Sequence, residues 1–426
     1  MNKVIDVLVI GKGVAGNNAA TAAKRRNPSL SVAIIGKEAH SEYAAPALPD
    51  YLSGELDKEG LLVKHIADYG KEGIELFLNK EVERIDPDNK KVFDKSGDIY
   101  RYRKLVIATG SLPIQLRRMK GTDMQGNFVL KTIDDVDSIL RYPGDRAVVV
   151  GSGAIGLEGG MGLKERGYKE VTIVEALEWI SMKSFDRITA DLVVKELENN
   201  GINVLQGESV VSVEGEDRVR AVKTSKRIIP CDIVLWGIGV RPNTALAQKT
   251  GIELGELGGI LVDEYMRTNI PDIYACGDCV ESVDQISGKR ALNLFWEPAA
   301  RGGMTAGLNC AGGDKLEFNG SMAVFLTYIG DVPVVAFGKT AEELKHRNIR
   351  ILDDRRKGSF RRVIMRGNRI LGAQMVGMLE NVNGLLNIMR KNAELDTEDL
   401  MNNSGKYAAL PYSVSAYINQ LKKKHT

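Results

Sequence analysis

The apolar and polar stretches at the start of the chain alternate in a way that predicts strands and helices in turn. Residues Val4–Ile10 form a short β-branched apolar run, an alanine-rich, helix-forming stretch covers Asn17–Arg26, and a second apolar run covers Ser31–Ile35. Strands that alternate with helical stretches are typical of βαβ units, in which crossover helices join parallel strands. The pattern therefore predicts an α/β fold.

The same order of elements recurs further along the chain. An apolar run at Ala147–Val150 is followed by a helical stretch at Leu157–Arg166 and by another apolar run at Val171–Val174. Beyond residue 321 the pattern changes to successive strands and then helices, which predicts an α+β region. The predicted strands there are Ala323–Tyr328, Val332–Phe337, Phe360–Arg366 and Arg369–Val376, and the predicted helices are Val382–Lys391 and Val414–Lys422.

A glycine-rich turn joins strand to helix in both copies. Residues 11–16 read G-K-G-V-A-G, and residues 151–156 read G-S-G-A-I-G. In such a turn the first glycine allows a tight bend, the second lets the backbone approach a pyrophosphate, and the third lets helix and strand pack closely. The N terminus of the following helix then faces the phosphate charge.

An acid follows each turn at the spacing expected of a residue that binds a ribose hydroxyl. Glu38 lies 22 residues after Gly16, and Glu175 lies 19 residues after Gly156, where about 20 is typical. A turn without a ligand is the alternative for one copy, but the repetition of the whole order favours two dinucleotide sites. Because a carboxylate at Glu175 repels a 2′-phosphate, the sequence predicts NADH in preference to NADPH.

Composition and charge narrow the class of protein. The chain has 426 residues, of which 43% are hydrophobic and 27% charged, as in folded proteins. Its net charge of +2 does not favour nucleic acid as a partner. Four cysteines exclude a disulfide scaffold, no apolar run is long enough to span a bilayer, and no signal-peptide pattern opens the chain. We therefore expect a cytoplasmic protein that does not insert into a membrane.

Three further segments complete the pattern of a known family. Leu105–Gly110 and Leu235–Asn243 look like the two crossovers between a flavin domain and a nicotinamide domain, and Ile273–Asp278 looks like a flavin-binding Gly-Asp motif. With the two glycine turns, in this order, they resemble the two-dinucleotide-binding flavoprotein oxidoreductases, which are relatives of the disulfide reductases. The resemblance implies FAD at the first turn and NADH at the second. It also implies two Rossmann-like, glutathione reductase-like domains and a C-terminal α+β domain of the dimerisation type.

The resemblance further implies which residues hold the cofactors. The FAD residues are Gly11, Gly13, Val14, Ala15, Gly16, Lys37, Glu38, Pro46, Val82, Ala108, Thr109, Gly110, Gly277, Asp278, Glu297 and Pro298. The NADH residues are Gly151, Gly153, Ala154, Ile155, Gly156, Glu158, Glu175 and Gly239. Glu158 is expected near the nicotinamide, where hydride passes to the flavin without an acid–base triad. Glu297 has the alternative role of an acid at the start of a helix near Trp296.

Domain boundaries follow from the same resemblance. A discontinuous FAD domain is expected at 1–110 and 241–320, with the NADH domain inserted at 111–240 and the C-terminal domain at 321–426. In this family such a C-terminal domain packs against a partner subunit, so a homodimer is expected. The segment that contains Tyr407, Pro411 and Tyr412 lengthens the tail beyond that of the shorter rubredoxin reductases, which leaves room for a larger redox complex.

The segment after the second strand carries no cysteine. In NADH oxidases and coenzyme A disulfide reductases of this family a single redox cysteine sits about where this chain reads Ser41–Leu52, yet no cysteine precedes Cys231. The stretch from Gly36 to Leu48 instead looks like rubredoxin reductases, oxygenase-coupled ferredoxin reductases and the flavin part of assimilatory nitrite reductases, which work without a cysteine relay. Those relatives place a basic residue just before the proline, whereas this chain has Ala45.

An acceptor that takes electrons directly from the flavin is therefore expected. The first hypothesis is transfer from NADH through FAD to a small iron–sulfur carrier protein of the rubredoxin or ferredoxin type. The alternatives are an NADH oxidase that reduces dioxygen, a disulfide or persulfide reductase of the coenzyme A type, and a flavoprotein whose reduction changes its binding of a partner.

A basic segment bears on the choice of acceptor. Ten Lys and Arg residues occur from Lys345 to Arg369, where the acids are Asp353 and Asp354. Because small electron carriers are commonly acidic, the segment is a candidate docking face. Solvated positions on exposed strands are the alternative interpretation.

Other patterns that suggest chemistry are interpreted as structural. Cys276 and Cys279 have C-x-x-C spacing but overlap the flavin Gly-Asp motif, so neither a dithiol nor a metal function is expected. The four histidines show no metal-ligand spacing, and no metal site is predicted. Asp86–Asn89 reads as a hairpin turn.

Overall fold

The fold is that of a computed structural model, which describes residues 4–116, 118–313, 315–345 and 348–394. The strands in these ranges are β1 (Val4–Ile10), β2 (Val32–Ile35), β3 (Ile74–Phe77), β4 (Val82–Asp86), β5 (Lys91–Asp94), β6 (Ile99–Ile107), β7 (Ser111–Pro113), β8 (Asn127–Phe128), β9 (Arg146–Val150), β10 (Glu170–Val174), β11 (Ile202–Leu205), β12 (Val210–Gly215), β13 (Val219–Thr224), β14 (Ile228–Pro230), β15 (Ile233–Trp236), β16 (Val240–Pro242), β17 (Ile260–Leu261), β18 (Ile273–Ala275), β19 (Val280–Val283), β20 (Arg290–Ala291), β21 (Val324–Ile329), β22 (Val332–Gly338), β23 (Arg350–Arg356), β24 (Ser359–Arg366) and β25 (Arg369–Val376). The helices are α1 (Val14–Arg26), α2 (Leu48–Ser53), α3 (Ile66–Lys71), α4 (Ile133–Arg141), α5 (Ala154–Glu165), α6 (Arg187–Asn199), α7 (Ala245–Thr250), α8 (Trp296–Gly312) and α9 (Val382–Arg390).

The described residues form two compact units, and each is built from separated pieces of the chain. The first unit takes its residues from Met1–Ala44, Leu61–Leu112 and Val240–Ala323. The second takes its residues from Ala45–Gly60, Pro113–Gly239 and Val324–Thr426. The expected division into an FAD domain, an NADH domain and a C-terminal domain stays a prediction.

A mainly parallel sheet lies at the centre of the first unit. Its order is β3-β2-β1-β6-β5-β4, and β18 pairs with β6. In the parallel ladders of β1, Leu8 stands beside Ala33 on β2 and beside Leu105 on β6, and all three side chains are buried. The carboxyl ends of β1, β2, β6 and β18 therefore meet at one edge of the sheet, which is where ligands bind in folds of this type.

Glycines let α1 and α8 of the first unit pack in backbone contact. A Cβ atom on Gly303 would lie 2.1 Å from the carbonyl oxygen of Ala15, and one on Gly307 would lie 2.1 Å from that of Ala19. Residues four apart share one face of a helix, so the two glycines face α1 together. This contact fixes α1, and with it the glycine turn that precedes α1, against α8.

A second parallel sheet lies in the second unit. Its order is β11-β10-β9-β15-β8, with Ala147 on β9 beside Val171 on β10 and Ile233 on β15. Helix α5 follows β9 directly and packs on α2, since a Cβ atom on Gly162 would lie only 2.8 Å from the carbonyl oxygen of Pro49. The carboxyl ends of β9, β10 and β15 again meet at one edge.

An antiparallel sheet in the order β21-β22-β25-β24-β23 completes the second unit. The fully buried carboxylate of Asp186, just before α6, accepts a hydrogen bond from Arg362 Nη1 on β24 at 3.1 Å. It also accepts one from the Ala341 backbone N–H at 2.8 Å. A buried charge needs such partners, so this pair ties α6 to the antiparallel sheet.

The α/β class, the repeated units and the hairpin at Asp86–Asn89 are confirmed. Helices α1 and α5 begin three residues earlier than the sequence pattern predicts, at Val14 and Ala154, because each glycine turn runs straight into its helix. Strand β23 was not among the predicted strands. The predicted helix Val414–Lys422 and the tail residues Tyr407, Pro411 and Tyr412 lie outside the described residues.

Candidate functional site

The first glycine turn has the shape of a pyrophosphate cradle. Gly11 has a φ of +113°, and a Cβ atom there would lie 2.0 Å from the carbonyl oxygen of Ala108, so only glycine fits. Gly13 is exposed, and a Cβ atom on it would meet nothing within 4 Å among the described atoms. The outer side of the turn is therefore open at the start of α1, where the backbone N–H groups of a helix attract an anion. These residues fit the diphosphate of a dinucleotide.

Glu38, the acid that follows this turn, is held by two neighbours, Tyr43 and Lys12, for which no contact with Glu38 was predicted. The Tyr43 hydroxyl donates to Oε2 of Glu38 at 2.7 Å, and the Lys12 ammonium lies 3.3 Å from the same oxygen. The only sequence signal for Lys12 is its position between the first two glycines of the turn.

Further residues predicted to bind FAD are Thr109, Gly277, Asp278 and Pro298. Thr109 uses its hydroxyl to donate to the Asn243 carbonyl oxygen at 2.7 Å, which anchors the chain where it leaves β6. Asp278 accepts a hydrogen bond from the Ser111 hydroxyl at 2.8 Å. The residues Gly277, Pro298 and Ala299 line one small cleft of the first unit.

Four other predicted FAD residues lie in different parts of the chain. The exposed Lys37 lies 3.3 Å from Glu81 in an ion pair, and Val82 is half-buried at the start of β4. Pro46 lies in a short helical turn, Ala45–Ala47, that belongs to the second unit. Glu297 lies in the first turn of α8, in an ion pair with Arg301 at 3.2 Å.

The second glycine turn repeats the geometry of the first. Gly151 has a φ of +94°, and a Cβ atom on the exposed Gly153 would meet nothing within 4 Å among the described atoms. The buried carboxylate of Glu175 accepts hydrogen bonds from the Ser152 N–H at 3.0 Å and from the Ser152 hydroxyl, both at Oε2. Its other oxygen accepts from the Leu177 N–H at 2.8 Å. All residues predicted to bind NADH lie in the second unit.

Glu158 is a half-buried acid on α5, five residues after Gly153. Burial raises the pKa of its carboxyl to about 8, and the negative charge of Asp50 on α2 adds to this effect. The Thr327 hydroxyl on β21 donates a hydrogen bond to it, which acts in the opposite direction. The residue therefore keeps a proton at neutral pH.

Glu42 is a second acid with a raised pKa, and no sequence motif singles it out. Its side chain is buried, and this burial raises the pKa of the carboxyl to about 8 against the pull of the Lys64 and Lys12 charges. The Tyr69 hydroxyl accepts from the Glu42 backbone N–H at 3.3 Å and donates to Asn17 Oδ1 at 2.6 Å. Glu42 is thus connected through hydrogen bonds to the first turn of α1.

The four cysteines are buried, and none of them is in a disulfide. Burial raises the pKa of the Cys276 and Cys279 thiols, and it raises that of Cys231 to about 12. A reactive thiol needs the thiolate form and access to its partner. The interpretation of Cys276 and Cys279 as structural residues stays a prediction.

The basic segment is not a continuous exposed face. Arg361 is buried and lies 3.2 Å from Asp354, and Arg362 is bidentate to Asp353 at 2.8 Å while it also binds Asp186. These two side chains are therefore not available to the candidate docking face. Arg361 and Arg362 are neighbours on β24, and each lies opposite an acid of β23 that neutralises its charge. The tip of the hairpin between β23 and β24 keeps exposed basic side chains, among them Arg355 and Lys357.

Neither a metal site nor a membrane-spanning helix is found among the described residues. The described residues contain no group of three His, Cys, Asp or Glu side chains arranged to hold a metal ion. Within the same ranges no helix has the length and apolar content needed to cross a bilayer.

Comparison with known proteins gives consistent matches over most of the chain. The family model described as pyridine nucleotide-disulphide oxidoreductase matches residues 5–293. An NADH oxidase of Methanocaldococcus jannaschii is 34% identical over 379 residues, which cover 87% of this chain and 84% of that protein. The 5,5'-dehydrodivanillate O-demethylase ferredoxin reductase subunit of a Sphingobium species is 32% identical over 295 residues, which cover 68% of this chain and 71% of that protein.

A solved structure supports the same grouping. An NAD-dependent persulfide reductase from A. fulgidus superposes with a TM-score of 0.86 and 28% identity, over 99% of this chain and 84% of that one. The three names describe an oxidase, a ferredoxin reductase subunit and a persulfide reductase. Proteins similar to this chain therefore differ in their electron acceptor.

Proposed function

Because this chain belongs to the pyridine nucleotide-disulphide oxidoreductase family, whose members are NAD(P)H-dependent flavoproteins that use FAD, we propose that it passes electrons from NADH through FAD to a small electron-carrier protein. The acceptor in this proposal is an iron–sulfur protein of the rubredoxin or ferredoxin type. The relative that is a ferredoxin reductase subunit supports this class of acceptor.

The observation that carries the proposal is the chemistry of residues 41–52. No thiol occurs in this segment, and the four cysteines elsewhere in the chain are buried. Burial raises the pKa of Cys231, Cys276 and Cys279. A disulfide or persulfide reductase of the coenzyme A type needs a thiolate beside the flavin. The chain is therefore better suited to an acceptor that takes electrons from the flavin directly.

Each glycine turn has a distinct task in this proposal. Bound FAD supplies the redox chemistry, since it takes a hydride from a nicotinamide and releases the electrons to an acceptor. The backbone at Gly11 and Gly13 admits the FAD diphosphate, Glu38 binds the adenosine ribose, and Asp278 with the N terminus of α8 holds the flavin half. The partial positive charge of that helix end stabilises negative charge on the reduced ring.

The second turn binds NADH in this proposal. Gly153 admits the NADH diphosphate at the start of α5, and Glu175 accepts from a ribose 2′-hydroxyl and repels a 2′-phosphate. Glu158 lies on the same helix and is assigned a place beside the nicotinamide.

A second candidate function is an NADH oxidase, because the relative with that name is 34% identical over most of the chain. The two candidates differ in what reoxidises the flavin. The FAD-loaded protein is reduced with NADH in the absence of air and then mixed in turn with rubredoxin, ferredoxin, oxygenated buffer and coenzyme A persulfide. The proposal expects a carrier protein to reoxidise the flavin fastest. Fastest reoxidation by oxygen would establish the second candidate instead, and fastest reoxidation by the persulfide would contradict both.

Salt dependence provides a further test of the carrier hypothesis. The exposed basic side chains at the tip of the β23–β24 hairpin, among them Arg355 and Lys357, are the proposed contact for an acidic carrier. Charge attraction between exposed groups is screened by salt, so the rate of reoxidation should fall as ionic strength rises. A rate with acidic carrier that ignores ionic strength would count against this docking face.

A further inference from the structure

Lys12, between the first two glycines of the first turn, has a buried side chain. Only 5% of the residue is exposed. Its methylene groups pack over Gly36, and Lys12 Cγ lies 2.8 Å from the position that a Cβ atom on Gly36 would occupy. The ammonium is therefore directed away from the turn and into the loop that follows β2.

The Lys12 ammonium meets three groups in that loop. Its Nζ atom lies 3.3 Å from Glu38 Oε2, 3.3 Å from the Ser41 carbonyl oxygen, and 4.2 Å from the centre of the Tyr43 ring. The Tyr43 hydroxyl donates to the same Glu38 oxygen at 2.7 Å. One carboxylate oxygen is thus held from two sides, by a cation and by a hydroxyl, and charge-assisted hydrogen bonds of this kind are strong and directional.

The arrangement leaves one oxygen of Glu38 available. Among the described residues both side-chain contacts engage Oε2, and the Glu38 side chain is 29% exposed. The other oxygen, Oε1, is therefore a fixed acceptor at the carboxyl edge of the sheet. The same ammonium also offsets the negative charge of Glu38, which would otherwise repel a diphosphate bound at the adjacent turn.

We propose that Lys12 and Tyr43 are positioning residues for FAD, which hold Glu38 so that its Oε1 accepts a hydroxyl of the adenosine ribose. The inference rests on the proposed assignment of FAD to the first glycine turn. It predicts that Lys12 acts through Glu38 and not by a direct contact with the diphosphate. Lys12 and Tyr43 therefore contribute to the binding of the adenosine half of FAD.

The test measures the affinity of the FAD-free protein for FAD, by the quenching of flavin fluorescence on binding. Lys12→Met keeps the methylene groups over Gly36 and removes the charge. We expect it to weaken FAD binding about tenfold. Tyr43→Phe should weaken it about threefold. Lys71→Ala, which removes an exposed lysine that pairs with Asp68, is the matched control and should leave the affinity unchanged.

A double-mutant cycle separates action through Glu38 from direct action on the ligand. In a Glu38→Gln background, Lys12→Met should change the FAD dissociation constant by less than about twofold, because the interaction that it removes is already absent. A full tenfold loss in that background, or no loss in the single variant, would overturn the inference. Lys12→Arg should retain most of the affinity, since a guanidinium can also pair with Glu38.

Two controls keep the result interpretable. Thermal unfolding of each FAD-free variant should stay within a few degrees of the unmodified protein, and Lys12→Ala provides a second variant if Lys12→Met fails to fold. Free FMN, which lacks the adenosine half, should bind equally well to the unmodified protein and to Lys12→Met. A tenfold loss for FMN as well would overturn the assignment to the adenosine half. If the unmodified FAD-free protein binds no FAD at all, the proposed function itself fails.

Discussion

Ser152 donates two hydrogen bonds to one carboxylate oxygen of Glu175, one from its backbone N–H at 3.0 Å and one from its hydroxyl. The Leu177 N–H binds the other oxygen at 2.8 Å, so the carboxylate is fixed in place at the edge of the second glycine turn. In the proposed assignment, this fixed carboxylate is the group that discriminates against a 2′-phosphate.

Replacement of this acid should relax the choice of nicotinamide cofactor. For Glu175→Gln we expect the ratio of kcat/KM for NADH to that for NADPH to fall about tenfold, because the neutral amide no longer repels a 2′-phosphate. Steady-state rates with both cofactors measure the ratio. Glu178→Gln, at an exposed position in an ion pair with Arg187, is the matched control. An unchanged ratio in Glu175→Gln would show that Glu175 does not set the preference.

The two glycine turns can be tested against each other. Gly13→Ala and Gly153→Ala each place a methyl group in open space, at backbone angles that alanine adopts freely. Both variants should fold normally, but the methyl group should occupy the path of a diphosphate. We expect Gly13→Ala to weaken FAD binding and Gly153→Ala to raise the KM for NADH, each about tenfold or more. Each variant is the control for the other, and a reversed or shared pattern would refute the cofactor assignment.

The contact between α1 and α8 should depend on one glycine and not on its neighbour. Gly303→Ala would place Cβ 2.1 Å from the Ala15 carbonyl oxygen, whereas Cβ at Gly302 would meet its nearest neighbour, Met266 Cε, at 3.4 Å. The first substitution should lower the free energy of unfolding by about 2 kcal/mol or more, and the second by much less. Thermal or denaturant unfolding measures both. Equal stability of the two variants would contradict the backbone contact.

Buried Glu42 should make stability depend on pH. Its pKa is raised to about 8 by burial, from an ordinary value of 4.5. Between these values the unfolded chain releases a proton that the folded protein keeps, so the free energy of unfolding falls as pH rises from 4.5 to 8. Glu42→Gln removes this loss and should stabilise the protein at pH 8 by on the order of 2 kcal/mol.

Thermal unfolding of Glu42→Gln and of the unmodified protein, followed from pH 5 to pH 8, tests this expectation. The gain of the variant should be largest at pH 8 and smallest at pH 5. Glu83→Gln, at an exposed position on β4, is the control and should follow the unmodified protein at every pH. A constant difference across the range would mean that the gain has another source than the proton on Glu42.

The sequence predicted the fold and the two cradles because both depend on local patterns. Apolar runs such as Val4–Ile10 and the spacing of glycines are visible in a short stretch of chain. Contacts between residues far apart in the sequence have no such pattern. The pair of Asp186 and Arg362, 176 residues apart, shows this most clearly, and it explains why a run of arginines looked like a free surface.

The side-chain contacts around the first glycine turn were also not predicted, because no local pattern in the sequence shows them. Lys12 lies at a position of the glycine turn where the pattern allows any residue. Nothing in the order of residues shows that its side chain reaches Glu38 and Tyr43. Glu42 carries no motif, and its raised pKa comes from the packing around it. Residue 303 must be glycine because the backbone of α1 lies against it, and the sequence does not show this contact.

In the proposed function, electrons pass from NADH through FAD to the acceptor without a cysteine relay. Anaerobic titration of the oxidised, FAD-loaded protein with NADH, followed by the flavin absorbance, tests it most directly. A flavin that works alone takes up one electron pair, so one equivalent of NADH per FAD should complete the reduction. Uptake of a second electron pair, with a long-wavelength absorbance from a thiolate beside the flavin, would contradict the account.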